Sequence, residues 1–315
     1  MFSCLPARET APDLHIECAD PVKIYKPGET ITCAVVLTNR NKFIDFKNIK
    51  IRMHGKAKTC WSQGRHSNSE TESYLEEEVF LLGNDIHTIT QPSGIFRYPF
   101  SYTLPLGIPS SCYEQDLGSI SYQVKAIMTR SLCASNPEAK KYFLVDGSLT
   151  NLPYEMSFPV QLEKVKRVTN FLRCGIDEIF FLLEINRSGI VPGDSINFQL
   201  TIENNSRLEL RQNLKLIQIM KFYANGLSKR EDTEILEMKG HRIPRGESQA
   251  WNGSLQIPRN ALLTGFERSN LINVRHMLKA EIKAPFLCGN VSSTLEIPLT
   301  IGSSSGKYVR GSAYE

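Results

Sequence analysis

Apolar residues recur at every second position in two widely separated stretches of this chain, Lys26–Asn39 and Val191–Ser206. The alternating residues are Ile31, Cys33, Val35, Leu37, Ile196, Phe198, Leu200 and Ile202. A period of two is typical of a β-strand with one buried face. A Pro-Gly pair precedes each alternation, and Pro followed by Gly favours a type II turn because Gly tolerates a positive φ. Each stretch is therefore predicted to be a strand that begins at a tight turn.

The two stretches belong to a longer internal duplication. Pro27-Gly28 aligns with Pro192-Gly193, and the match ends with Asn39 against Asn204. Three later blocks recur in the same order, "SYTLP" as "SLQIP", "VKA" as "LKA" and "FPV" as "IPL". The spacing between partners shrinks along the chain, as expected if the first half has longer loops. The two candidate loops are residues 67–78 and 135–147.

Short alternating segments separated by Gly, Pro, Asn and Ser fill both halves, which favours an antiparallel β-sandwich in each. A chain of 315 residues has the length of two such domains. The predicted fold class is all-β, with two tandem immunoglobulin-like antiparallel β-sandwiches and almost no helix. The predicted divisions are an N-terminal extension 1–11, a first sandwich 12–163, a linker 164–174, a second sandwich 175–302 and a short flexible tail 303–315.

Composition excludes some classes of function. The chain carries 37 basic and 33 acidic residues, a net charge of +4 that does not indicate a nucleic-acid partner. It has no apolar run typical of a signal peptide or a membrane span, so we expect a cytoplasmic protein. The eight cysteines are scattered without a C-x-x-C and are predicted to be reduced thiols. Four N-x-S/T sequons are accordingly interpreted as coincidence.

Motifs that announce catalysis are absent from the sequence. It contains no G-x-S-x-G, P-loop, H-E-x-x-H or G-x-G-x-x-G pattern, and its six histidines lie far apart. We therefore expect no enzymatic activity, no cofactor, and neither catalytic nor metal-binding residues. Trp61 and Trp251 are interpreted as core anchors rather than ligand platforms. The acidic run Glu76–Glu78 lacks the spacing of a calcium loop and is read as the solvated end of a loop.

A basic stripe is the first candidate binding feature. In residues 48–58 the alternation places apolar side chains on one face and basic side chains on the other. The candidate binding residues are Lys50, Arg52, Lys56 and Lys58. Such a stripe can bind phosphates or acidic cargo tails through charge-assisted hydrogen bonds. The alternative is a solvated sheet face whose lysines discourage edge pairing.

The predicted linker is the second candidate feature. It carries Lys164, Lys166 and Arg167, which could touch anionic lipid at the cytoplasmic leaflet. Linker solubility explains the same three charges.

Several motifs together resemble the arrestin fold family, and within it the α-arrestins, the arrestin domain-containing proteins. They include "GKAKTCW", "YPFSYTLP", "GSISYQVKA", "GIVPGDSINFQLTIENNS", "KFYANG" and "RGESQAWNG". The resemblance spans about residues 12–302. It implies two concave β-sandwiches in a cytosolic adaptor that binds cytoplasmic segments of membrane-protein cargo, peripherally at the plasma membrane or endosomes.

The chain departs from that family's pattern in one respect. Members commonly recruit ubiquitin ligases through PPxY motifs, and this sequence contains no Pro-Pro pair. A link to ubiquitylation is therefore left open. The alternative function is a structural subunit of an endosomal sorting coat, like the arrestin-fold subunit of retromer. A third reading, an extracellular adhesion protein, requires glycosylated sequons.

Overall fold

The structure, a computed structural model, describes residues 11–20, 22–64, 66–130, 135–147, 152–170, 175–264, 268–286 and 289–302. The chain divides into two compact units. The first comprises residues 1–147 together with the short segments 223–227 and 267–272, and the second comprises the remainder. The predicted tail 303–315 and, apart from Ala11, the predicted extension 1–11 lie outside the described residues.

Strands dominate both units, and the described stretches contain one helical element, a 3-10 turn at Tyr154–Ser157. Eight strands build the first sandwich: β1 Asp13–Cys18, β2 Ile24–Tyr25, β3 Thr30–Gln63, β4 His66–Gly83, β5 Ile89–Thr103, β6 Cys112–Glu114, β7 Gly118–Arg130 and β8 Glu138–Val145. Nine build the second: β9 Val160–Asn170, β10 Gly175–Ile185, β11 Gly189–Ile190, β12 Ser195–Asn205, β13 Leu210–Ala224, β14 Leu227–Ile243, β15 Ser248–Gln256, β16 Ile272–Phe286 and β17 Gly289–Ile301. The all-β prediction is confirmed.

In the first sandwich the long strand β3 changes partners along its length. Its first part pairs antiparallel with β1 and β5, and its second part pairs with β7 and β4. β8 pairs antiparallel with β7, and the two-residue strand β2 pairs in parallel with β8. Ile49, Ile51 and Met53 are buried on the inner face of β3. Trp61 is also buried, as predicted.

The second sandwich has two sheets, one in the order β15-β12-β10-β9 and the other in the order β11-β17-β16-β13-β14. Its core is a cluster of buried aliphatic and aromatic residues drawn from both sheets. Trp251 packs against this cluster and meets Phe198 edge to face, with ring centroids 5.2 Å apart. All eight alternating residues named above are buried in one core or the other. The predicted strand faces are therefore confirmed.

Both Pro-Gly pairs form the predicted type II turns. The amide of Glu29 donates to the carbonyl of Lys26, and the amide of Asp194 donates to the carbonyl of Val191, each at 3.0 Å. Gly28 and Gly193 have φ values of 85° and 92°, which an L side chain rarely adopts. Each turn therefore needs its glycine.

The repeated asparagine at the end of each stretch also has one role in both halves. Asn39 is 3% exposed, and its side-chain Nδ2 donates to the carbonyl of Pro92 at 2.9 Å. Asn204 is fully buried, and its Nδ2 donates to the carbonyl of Pro244 at 2.8 Å. In each sandwich the amide thus satisfies a proline carbonyl of another segment: Pro92 lies in β5, and Pro244 follows β14.

Four predictions are wrong. Residues 67–78 and 135–147 are not loops, because they contain most of β4 and all of β8. The predicted linker is a strand as far as Asn170, since β9 pairs along its length with β10. Cys18 and Cys33 face each other across β1 and β3 and form a disulfide, so these two are not reduced thiols. Among the described cysteines, Cys60 and Cys112 are free.

Candidate functional site

The second part of β3 places the predicted basic residues on the outer face of its sheet. Ile51, Met53 and Ala57 are buried, while Arg52, Lys56 and Lys58 point the other way and are exposed. The alternation predicted from sequence is confirmed. The strand lies in the interior of the sheet, between β4 and β7, so its lysines do not guard an edge.

A carboxylate on β4 neutralises one end of this stripe. Glu78 lies opposite Arg52 and accepts from its Nε at 2.5 Å, and it accepts from Lys50 Nζ at 2.9 Å. The hydrogen bond from Arg52, followed by that from Lys50, holds the pKa of the Glu78 carboxyl below its usual range. The ammonium of Lys50 also sits 5.4 Å from the ring centroid of Phe80. Glu78 is therefore an ion-pair partner on a strand, not the end of a solvated loop.

The other end of the stripe has a different environment. Lys56 lies between Ser73 and Ser121, and Lys58 lies between Thr71 and Ser119. We call these six residues the Lys56–Lys58 patch. No carboxylate among the described residues pairs with either lysine.

The patch can bind an anion because it combines two exposed ammonium groups with four neighbouring hydroxyls. Charge-assisted hydrogen bonds from Lys are short and strong, and Ser and Thr hydroxyls can also donate to phosphate or carboxylate oxygens. The stripe thus divides into a neutralised end and an end whose charge is available.

Sequence reasoning missed two further basic residues on this face. Lys125 on β7 lies opposite Arg52, and Lys140 on β8 lies opposite Lys125. Lys125 pairs with Glu138 at 2.8 Å. Alternation within β7 and β8 assigns their faces, but it does not reveal which strands are neighbours. The basic row across three strands was therefore invisible in the sequence.

The three basic residues of the predicted linker are not brought together. Lys164 Nζ donates to the carbonyl of Thr294 at 3.3 Å, while Arg167 Nε pairs with Glu178 at 2.9 Å. Because β9 is a strand, Lys164 and Lys166 lie on one face and Arg167 on the other. Membrane contact by these residues stays a prediction.

The stretches that the structure describes contain neither a membrane-spanning helix nor a metal-binding cluster. No helix there has the length and apolarity needed to cross a bilayer. No three His, Cys, Asp or Glu side chains there converge in a way that could hold a metal ion.

Comparison with protein families gives two matches that follow the two sandwiches. The model described as "Arrestin (or S-antigen), N-terminal domain" matches residues 14–150. The model described as "Arrestin (or S-antigen), C-terminal domain" matches residues 178–306.

Curated proteins with similar sequences agree with these matches. Thioredoxin-interacting protein of Pongo abelii is 28% identical over 302 residues, covering 93% of this chain and 75% of that protein. The Homo sapiens protein of the same name is 27% identical with the same coverage. Arrestin domain-containing protein 17 of Caenorhabditis elegans is 23% identical over 304 residues, covering 90% of this chain and 68% of that protein.

Proposed function

Because this chain belongs to the arrestin family, in its α-arrestin branch, we propose that it is a non-enzymatic cytosolic adaptor. In this role it binds cytoplasmic segments of membrane-protein cargo and connects them to endocytic or endosomal trafficking. Family membership supports an adaptor of the arrestin type, and the Lys56–Lys58 patch supports the kind of cargo. Its membrane association is peripheral, through the cargo.

The Lys56–Lys58 patch is the observation that carries the proposal. Lys56 and Lys58 are exposed on an interior strand of the sheet, with hydroxyls from β4 and β7 on either side. An acidic or phosphorylated peptide can lie across these strands and receive hydrogen bonds from both kinds of donor. Exposed charge pairs are screened over about 8 Å at physiological ionic strength, so this binding weakens as salt rises.

A direct binding experiment tests the cargo class. A fluorescein-labelled peptide with two phosphoserines is titrated with the full chain, and its unphosphorylated form serves as the reference. Replacing Lys56 and Lys58 with Glu is expected to weaken phosphopeptide binding by at least about tenfold, since two attractive contacts become repulsive. The matched control carries the same Lys→Glu change at Lys26 and Lys42, two exposed lysines of the same sandwich outside the patch. Equal affinities for the wild type and the Lys56→Glu, Lys58→Glu variant would contradict the assignment.

Cell experiments test the adaptor role. Proximity labelling with the wild-type chain is expected to return membrane proteins and trafficking factors. With the Lys56→Glu, Lys58→Glu variant, the membrane-protein cargo should no longer be labelled. A chain found entirely within one large complex on size exclusion of native lysate would favour the sorting-coat subunit instead. Because residues 1–315 contain no Pro-Pro, they offer no PPxY to a WW domain.

A further inference from the structure

Strand β10 is apolar on both faces. Ile179, Phe181 and Leu183 are buried in the core of the second sandwich. Phe180 and Leu182 alternate with them and therefore point to the opposite, outer face of the sheet, where they are half-buried. A strand that is apolar on both faces is typical of a sheet covered on both sides. Among the described residues of the second sandwich, the core cluster lies on the Ile179 side of this strand.

The neighbouring strands extend this apolar surface. Val165 on β9 lies opposite Phe180 and is 50% exposed. Ala250 on β15 is exposed and lies in the same row as Leu182, with Thr201 of β12 between them. We call the surface formed by Val165, Phe180, Leu182 and Ala250 the Phe180–Leu182 face. Its contiguous part, Val165, Phe180 and Leu182, marks an interaction site more often than isolated apolar residues do.

Acidic residues border this face on three strands. Glu163 on β9 lies opposite Leu182, Glu203 on β12 lies opposite Phe180, and Glu184 follows Leu182 on β10. Within the described residues none of these three carboxylates has an ion-pair partner. Arg167 and Glu178, which face each other in the adjacent row, pair at 2.9 Å. The border therefore carries uncompensated negative charge.

The first sandwich shows that the fold does not require apolar residues at these positions. Its equivalent strand is β1, in which Asp13 lies opposite Thr38 and His15 opposite Val36. The duplication aligns Thr38 with Glu203 and Val36 with Thr201, which are the partners of Phe180 and Leu182. Asp13 and His15 therefore occupy the places of Phe180 and Leu182, and both are exposed. The apolar pair is specific to the second sandwich.

We propose that the Phe180–Leu182 face binds a peptide segment of a partner protein that carries apolar side chains flanked by Lys or Arg. The apolar side chains cover Phe180 and Leu182, and the flanking cations pair with Glu163, Glu184 and Glu203. This goes beyond the proposed function, because it adds a second docking surface of the opposite charge on the other sandwich. The acidic border disfavours an anionic lipid surface as the occupant and favours a basic segment.

Three fluorescein-labelled peptides separate the apolar from the charged contribution: Lys-Lys-Leu-Thr-Leu-Lys-Lys, Lys-Lys-Ser-Thr-Ser-Lys-Lys and Glu-Glu-Leu-Thr-Leu-Glu-Glu. Fluorescence anisotropy with the full chain is expected to show saturable binding of the first peptide. The second and third should each bind at least about tenfold more weakly, since each lacks one contribution. Equal binding of all three, or no saturable binding of the first, would overturn the proposal.

Variants place the binding on the face. The double variant Phe180→Asp, Leu182→His installs the residues that the first sandwich already tolerates, and it is expected to abolish binding of the Lys/Leu peptide. Should that variant unfold, Glu163→Gln combined with Glu203→Gln leaves the apolar residues intact and should weaken binding and reduce its dependence on salt. Unchanged binding by the folded Gln variant would refute the role of the carboxylates.

Two further outcomes keep this proposal separate from the previous one. The Lys56→Glu, Lys58→Glu variant should bind the Lys/Leu peptide as the wild type does, so failure of the phosphopeptide experiment leaves this one intact. Concentration-dependent self-association that the Phe180→Asp, Leu182→His variant abolishes would assign the face to a second copy of the chain and overturn the peptide assignment.

Discussion

Replacing Asn204 with Ala is expected to destabilise the second sandwich strongly, because this buried side chain uses both ends of its amide. Nδ2 donates to the carbonyls of Leu208 at 2.7 Å and Pro244 at 2.8 Å. Oδ1 accepts from the amide of Ser206 at 3.2 Å and from its hydroxyl at 2.5 Å. These four bonds, with a longer fifth from Nδ2 to the carbonyl of Ile243 at 3.4 Å, connect the end of β12 with the segments that follow β12 and β14.

The expected loss follows from those four bonds. A buried hydrogen bond contributes about 1 kcal/mol net, and an acceptor left buried without a partner costs about 1–3 kcal/mol. Since some of the freed groups can rotate or reach water, we expect the free energy of unfolding to fall by about 3–4 kcal/mol. Asn39 makes fewer such bonds, and the corresponding loss for Asn39→Ala should be about 2 kcal/mol.

Urea unfolding followed by circular dichroism measures this loss. For a slope of about 2 kcal/mol/M, the midpoint of Asn204→Ala should fall by nearly 2 M with the slope unchanged. Asn205 is the matched control, since it is the same residue type, is exposed, and lies next along β12. Asn205→Ala should change stability by less than about 0.5 kcal/mol. A loss below about 1 kcal/mol for Asn204→Ala would refute the argument from its hydrogen bonds.

Three further predictions concern Gly83, His276 and Glu78. Gly83 has a φ of 71°, and a Cβ there would overlap the carbonyl of Lys47. Gly83→Ala should therefore lower the free energy of unfolding by about 2 kcal/mol more than Gly64→Ala, the control, since Gly64 has a φ of 63° and open space around it. Equal losses for the two variants in chemical denaturation would contradict the overlap. Burial lowers the pKa of His276 to about 4. Because the unfolded chain then takes up a proton that the folded chain resists, the free energy of unfolding falls by about 3 kcal/mol as pH drops from about 6.5 to about 4. In urea unfolding measured across this pH range, His276→Gln should show a shallower decline. Glu78→Gln frees Lys50 and Arg52 and should strengthen binding of the phosphopeptide, while an unchanged anisotropy titration would show that they do not reach the ligand.

The sequence predicted those features that depend on neighbouring residues. The Pro-Gly turns at Gly28 and Gly193 and the buried alternation of β3 and β12 follow from local backbone preferences and the two-residue period. The duplication then extended the assignment to both sandwiches. These features needed no knowledge of which strands lie side by side.

Features that depend on strand pairing were not predictable in this way. The many Ser and Glu residues of β4 suggested a loop, yet its pairing with β3 brings Glu78 against Arg52 and neutralises half of the basic stripe. The disulfide between Cys18 and Cys33 likewise depends on β1 lying opposite β3. The outer position of Phe180 and Leu182 does not follow from the sequence either, because a single sequence does not say which face of a strand is covered.

Because β3 pairs with four other strands of the first sandwich, it determines how that sandwich opens locally. One uninterrupted strand, Thr30–Gln63, supplies hydrogen-bond partners to β1 and β5 and then to β7 and β4. In the second sandwich the corresponding path is divided between β12 and β13. Local opening that releases β3 therefore exposes amides of all four partner strands at once, whereas β12 and β13 can open separately. Amide hydrogen exchange in the first sandwich should thus report a single cooperative unit, and in the second sandwich two.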